Sequence, residues 1–200
     1  PTLSPPVPGQ NTVKYVYEFS RPGFTIGAIR MEHDESGKGK ITFLHKDYEE
    51  PVTDPILLSK TTIDKLNDAL AELDFLNSTE NSHLGSVKIT FQSDGRERTA
   101  VFNWTENKSA RALADEYRYL SNQFIWVFNI NLARENQPLE APKLFDTLDG
   151  HLRRKEISDP PQMVQFLTAL SNDERLPLMA RNHANRLIKQ IEKANKPKKN

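Results

Sequence analysis

Cysteine is absent from all 200 residues. That excludes disulfides, thiol nucleophiles, CxxC redox chemistry, thiolate-held zinc and iron–sulfur clusters. Glycine is scarce, at 8 residues, and forms neither a G-x-G-x-x-G run nor a phosphate loop. Gly37-Lys38 and Gly39-Lys40 come nearest, yet neither is followed by Ser or Thr. No G-x-S-x-G nucleophile elbow and no H-E-x-x-H pair occurs. Long apolar runs are missing too. Phe124 to Leu132, broken by Asn129 and Asn131, is under half of the ~20 residues a membrane-crossing helix needs.

Charge is plentiful and balanced, with 27 Lys+Arg against 27 Asp+Glu, and the 36% hydrophobic content suffices for a core without staples. The balance conceals a polarity. Residues 175–200 hold eight bases and one acid, Glu192, which leaves 19 bases and 26 acids in residues 1–174. A basic end therefore faces an acidic remainder, −7 against +7.

The 13 prolines cluster first at the N-terminus, where residues 1–11 have no periodic apolar face and read as a linker. Removal of an export signal ahead of Pro1 would leave such a terminus, and a chain without thiols suits an oxidising compartment. An extracytoplasmic location, periplasmic or secreted, is the expectation, with the cytoplasm as the alternative.

Residues 12–106 read as strand-rich. Val13, Tyr15, Tyr17 and Phe19 alternate with polar residues, the period of a half-buried strand. Phe24, Ile26 and Ala28 change phase to Ile29 and Met31 beside Gly27, which predicts a bulge. A polar loop, 33–39, then leads to Ile41 and Phe43 as a hairpin partner. After the short run Ile56–Leu58, Ser59 is placed to cap a helix carrying Ile63, Leu66, Leu70 and Leu73, which ends at Asp74-Phe75-Leu76 before a polar loop at 77–82. Asp94-Gly95 predicts a type I′ hairpin in which opposed residue numbers total 189, setting Phe91 against Arg98, Ile89 against Ala100 and Val87 against Phe102.

Residues 107–195 read as helical, with 196–200 as a basic tail. Leu113, Tyr117, Leu120, Phe124 and Val127 form one helical face. Leu144, Leu148 and Leu152 define a third helix, Asp159-Pro160 opens a fourth with Met163, Phe166, Leu167 and Leu170 inward, and Pro177 opens a fifth. The expected fold is α+β: a mainly antiparallel sheet of five or six strands with one packed helix, followed by an all-helical C-terminal half packed on it. Leu148, Phe166, Leu170, Ala184 and Leu187 are expected in one buried cluster. Trp104 and Trp126 are expected to pack in the core.

Two resemblances attach to particular residues. Leu167–Asp173, followed by Ala180-Arg-Asn-His-Ala184 and Leu187, resembles one HEAT-type helix pair within residues 160–194. It does not repeat, so no solenoid is implied. The stretch Tyr17–Leu76, with Gly39-Lys-Ile-Thr-Phe43 and the Leu58-Ser59 cap, resembles small exported bacterial proteins of unknown function, which implies a compartment and no activity.

Chemistry is sparse. Glu32, His33 and Asp34 with His45, Asp47, Glu49 and Glu50 would form an acid–base or divalent-cation site if the first hairpin joined them, the alternative being the solvated edge of a sheet. Arg181, Arg186, Lys189 and Lys193 lie within one helix with a single acid among them and are the candidate partner-binding residues. No aromatic interleaves with them, which argues against a nucleic-acid stacking platform. The sequence thus points to a non-enzymatic interaction or scaffold protein in the bacterial cell envelope, with a protein partner and no cofactor, catalytic residue or metal ligand. A hydrolase or metal-dependent enzyme built on His33 and His45 is the alternative, and a polyanion binder acting through the basic helix is the second.

Overall fold

The computed structural model describes residues 13–76, 85–93 and 95–196. The expected linker at residues 1–11, the 77–82 loop, Asp94 and the end of the basic tail lie outside these. The chain is α+β, with a six-stranded antiparallel sheet and one helix in its N-terminal half and four helices in its C-terminal half. It divides into two compact units. Residues up to Leu57 together with Leu70–Ala110 form one, and Leu58–Ala69 together with the chain from Arg111 onward form the other.

In the first unit the strands are β1 (Lys14–Ser20), β2 (Ile26–Asp34), β3 (Lys38–His45), β4 (Val52–Leu57), β5 (Val87–Ser93) and β6 (Arg96–Phe102), in the order β4-β3-β2-β1-β5-β6. Each earlier register expectation has a counterpart. The β2–β3 pairing shifts between Ile26 and Ala28, beside Gly27. The β5–β6 pairs run Val87–Phe102, Ile89–Ala100 and Phe91–Arg98. One face buries Tyr15, Tyr17, Met31, Ile41, Phe43, Ile56, Ile89 and Ala100. On the other face, alternate positions carry a ladder of charges: Lys14, Arg30 and Lys40 reach Glu32 at 3.1, 3.4 and 3.0 Å, while Arg30 and Lys88 reach Glu18 at 2.6 and 3.0 Å. Such cross-strand pairs fix the alternation that puts the apolar set on the opposite side.

Gly39 is required by close approach. A Cβ there would lie 1.9 Å from the Glu32 carbonyl oxygen, because Gly39 pairs directly with His33. Gly37 takes φ +83 in the adjoining turn, the left-handed conformation that L side chains avoid.

Helix α1 (Lys60–Glu72) begins as its sequence dictates, with Ser59 Oγ accepting from the Thr62 amide at 3.2 Å. Its end is unusual. Asp74, Phe75 and Leu76 have φ of +46, +50 and +72, three successive left-handed residues without a glycine, each costing about 1–2 kcal/mol. They turn Leu76 inward, 4% exposed, and leave Phe75 40% exposed.

The longest element, α2 (Lys108–Asn136), belongs to the second unit from Arg111 onward and is followed there by α3 (Ala141–Arg153), α4 (Val164–Ser171) and α5 (Leu178–Asn195). A buried cluster joins Ile130, Phe145, Leu148, Met163, Leu167, Leu170, Ala184, Leu187 and Ile191. Leu148, Leu170, Ala184 and Leu187 belong to it as expected. Phe166 does not: it packs on the cluster only partly buried, and Leu167 takes the interior position. Asp159-Pro160 leads into a 3-10 turn, Pro160–Met163, before α4 starts, and the inward stripe narrows to Met163, Leu167 and Leu170 with Phe166 on its flank. On α3 the fully buried aromatic is Phe145, flanked by partly buried Leu144 and Leu152. Trp126 packs on the cluster, whereas Trp104 is 69% exposed. The correction for Trp104 is local: β6 ends at Phe102, so the strand alternation no longer governs it.

Polar side chains bind the α3–α4 connection to the preceding helices. Ser158 Oγ donates to Glu116 and lies 3.3 Å from Thr62 Oγ1, and Lys65 Nζ donates to the Ser158 carbonyl at 3.0 Å. Gln123 accepts from the Asp159 amide at 2.9 Å and donates to Gln162 at 3.0 Å. These buried groups are satisfied, as interior polar atoms must be. Among the described residues the one buried side-chain nitrogen or oxygen without a hydrogen-bond partner is Arg181 Nε.

Candidate functional site

The histidine–carboxylate group anticipated on the first hairpin is not assembled. His33 pairs with Gly39, beside the turn, while His45 pairs with Ile26 at the far end of β3. Six strand residues separate them, about 20 Å at 3.3 Å per residue. Antiparallel pairing brings together the ends that flank the turn, and His45 is at the other end.

Each member has a separate structural task. Glu32 sits among Lys14, Arg30 and Lys40, and the Lys40 hydrogen bond foremost, with Lys14, brings its carboxyl down to about 2 against the opposing push of burial. Asp34 Oδ1 accepts from the Ser36 and Lys38 amides at 2.9 and 3.0 Å and so closes the β2–β3 turn. His33, 2% exposed, lies flat on Tyr15 and donates through Nδ1 to the Asp34 carbonyl at 2.9 Å. Burial pushes its imidazole below the ordinary value. His45 faces Asp47 at 3.5 Å, and Glu49 and Glu50 are exposed. Among the described residues no group of three or more His, Asp or Glu side chains could hold a metal ion. A shallow concavity of about 300 Å³ borders Glu32, Lys14, Lys38 and Lys40, but its carboxylate is already paired with two of those lysines.

The basic helix is arranged differently from a uniform patch. Ala180, His183, Ala184, Leu187 and Ile191 line the buried side of α5. Arg186, Lys189 and Lys193 are exposed, and their spacing of three and four residues stacks them on a single face. None has an ion-pair partner among the described residues. Arg181 lies apart at the margin of that face, half-buried, with its Nε enclosed. Leu178 and Met179, 64% and 70% exposed, stand at the start of the same helix. Leu178, Asn182, Asn185 and Lys189 follow one another at helical spacing, so the outward face is apolar at its beginning and cationic at its end.

Two further arginines were not marked as a site by composition. Arg96 and Arg98 belong to β6 and stand opposite Ser93 and Phe91. With Phe75 these residues line a cavity of about 440 Å³. The signal was present in the hairpin register, which sets Arg98 against Phe91 on the apolar face. Charge counting along the chain passes over it because Glu97 lies between the two arginines.

Among the described residues no helix is long and apolar enough to cross a membrane. No family model, curated protein or solved structure matches the chain.

Proposed function

We propose that this protein is a non-catalytic binding protein that docks an acidic protein surface on the outward face of α5. The observation that carries the reading is the set of three exposed cations, Arg186, Lys189 and Lys193, on one helix face, none of them in an ion pair among the described residues and with Glu192 the single acid between them. A helix dipole accounts for a cation only within the last turn. That covers Lys193 and leaves Arg186 and Lys189 unexplained. The exposed Leu178 and Met179 beside this stripe favour a partner with apolar as well as acidic side chains, since an interface needs a desolvated centre and a charged rim. Nucleic acid is the weaker reading, because phosphate contacts without stacking aromatics give only non-specific, salt-sensitive affinity.

The test is fluorescence anisotropy with a labelled amphipathic peptide of alternating Leu and Glu, on the parent and on a Lys189→Glu/Lys193→Glu variant. Binding should weaken as salt rises, since exposed charges are screened beyond about 8 Å at physiological ionic strength, and should fall at least tenfold on charge reversal. Equal binding by both proteins removes the reading. Tighter binding of duplex DNA or anionic vesicles than of the peptide replaces it with a general polyanion binder.

A further inference from the structure

We propose that the cavity between the end of α1 and the β5–β6 hairpin is a binding site for a small ligand carrying a carboxylate on a flat apolar ring. The site is independent of α5.

Its polar end comes from register. Phe91 opposes Arg98 and Ser93 opposes Arg96, so all four side chains share the face that buries Tyr15, Ile89 and Ala100. The apolar face is therefore finished, at this end, by two guanidinium groups two residues apart on the edge strand. Neither has a hydrogen-bond or ion-pair partner among the described residues. Glu97, which separates them in sequence, projects to the opposite face and is engaged by Gln92. Arg96 is exposed and Arg98 half-buried beside the buried Phe91, so both forks of donors are open to an incoming ligand at the rim of the cavity. A carboxylate matches such a fork with two parallel hydrogen bonds.

The apolar end comes from Phe75 and Phe91, whose rings lie 5.4 Å apart and tilted by 30°. Tyr15 backs Phe91 at 5.3 Å. Phe75 reaches this position because the left-handed run at Asp74, Phe75 and Leu76 sends Leu76 inward and keeps Phe75 partly open. Residues held in such conformations are over-represented at ligand clamps. A volume of about 440 Å³ lies toward the small end of ligand pockets. It suits a body of one or two fused rings that can stack offset on the phenylalanines.

Titration with 1-naphthoate, followed by calorimetry, tests the assignment. We expect saturable one-to-one binding, at least tenfold weaker binding of neutral 1-naphthalenemethanol, and a similar loss of naphthoate affinity in Arg96→Gln/Arg98→Gln with an unchanged melting temperature. Phe75→Asn, which tolerates the left-handed turn, should weaken naphthoate and the alcohol alike. Absence of naphthoate binding, equal affinity for the alcohol, full affinity in the double arginine variant, or displacement by inorganic phosphate at equimolar concentration would each overturn it. The last outcome would mark a bare anion site.

Discussion

His33 lies flat against Tyr15, with ring centroids 4.6 Å apart and planes 10° from parallel. The stack is buried between Phe91 on one side and the glycine backbone of β3 on the other, so burial favours the neutral imidazole in the folded chain.

Because burial sets the folded-state value of His33 below its ordinary 6.5, the unfolded chain binds the extra proton first as pH falls. Stability from this group is complete above about 6.5 and is lost as pH drops through the folded-state value. His183 shifts in the same direction, burial again leading, and contributes in the same window. Urea unfolding of the parent should therefore weaken between pH 7 and 5. His33→Phe, which preserves the stack, should reduce that slope, and an unchanged slope would show that His33 is not the titrating group.

Glu32 acts at a lower pH and with the opposite group chemistry. Its carboxyl is brought from 4.5 to about 2 by Lys40 and Lys14, so its contribution is present above 4.5 and disappears as pH falls through 2. Glu32→Gln should cost about 1 kcal/mol at neutral pH, the scale of screened ion pairs, and nothing at pH 1.5. A constant difference across that range, measured by denaturant titration, would assign the effect to packing.

Gly39→Ala should destabilise by about 1–3 kcal/mol, the usual cost of overpacking. The added methyl meets backbone, the Glu32 carbonyl at 1.9 Å and His33 Cα at 2.7 Å, and neither can rotate away. Gly27→Ala is the control, because its nearest neighbours stand 3.9 Å or more away. Equal midpoints for the two variants would refute the close approach.

Leu167→Ala and Leu170→Ala should each lose about 2–5 kcal/mol, since both side chains are fully enclosed in the helical unit. Phe166→Ala should cost less despite its larger side chain, because Phe166 is only partly buried. Thermal or urea unfolding of the three variants orders them.

Local patterns were enough for the elements and for one register. Asp94-Gly95 flanked by alternating apolar residues carries its own pairing, and the 189 total recurs in every β5–β6 pair. Ser59 and Pro177 mark helix starts because their chemistry acts on adjacent amides or fixes φ. The pairing of β1 with β5 has no such local mark, since it depends on residues brought together from distant parts of the chain. The same limit applied to the sites. Lys189 and Lys193 are neighbours in sequence and remain neighbours on α5, whereas His33 and His45 were joined by assuming that both ends of a hairpin meet. Arg98 required the register to be read for chemistry as well as for burial.

The strand order has a bearing on synthesis. β1 is made first, yet it is an interior strand whose second neighbour is β5, with Phe19 paired to Val87. Until β5 leaves the ribosome, the β4-β3-β2-β1 meander presents β1 as a bare edge, with Tyr15, Val16 and Tyr17 not yet covered. An uncovered apolar edge is a template for strand capture by another nascent chain. The β5–β6 hairpin thus serves as the late-arriving partner that closes this vulnerable side, and a translation pause before it would lengthen the time in which two copies could pair through β1.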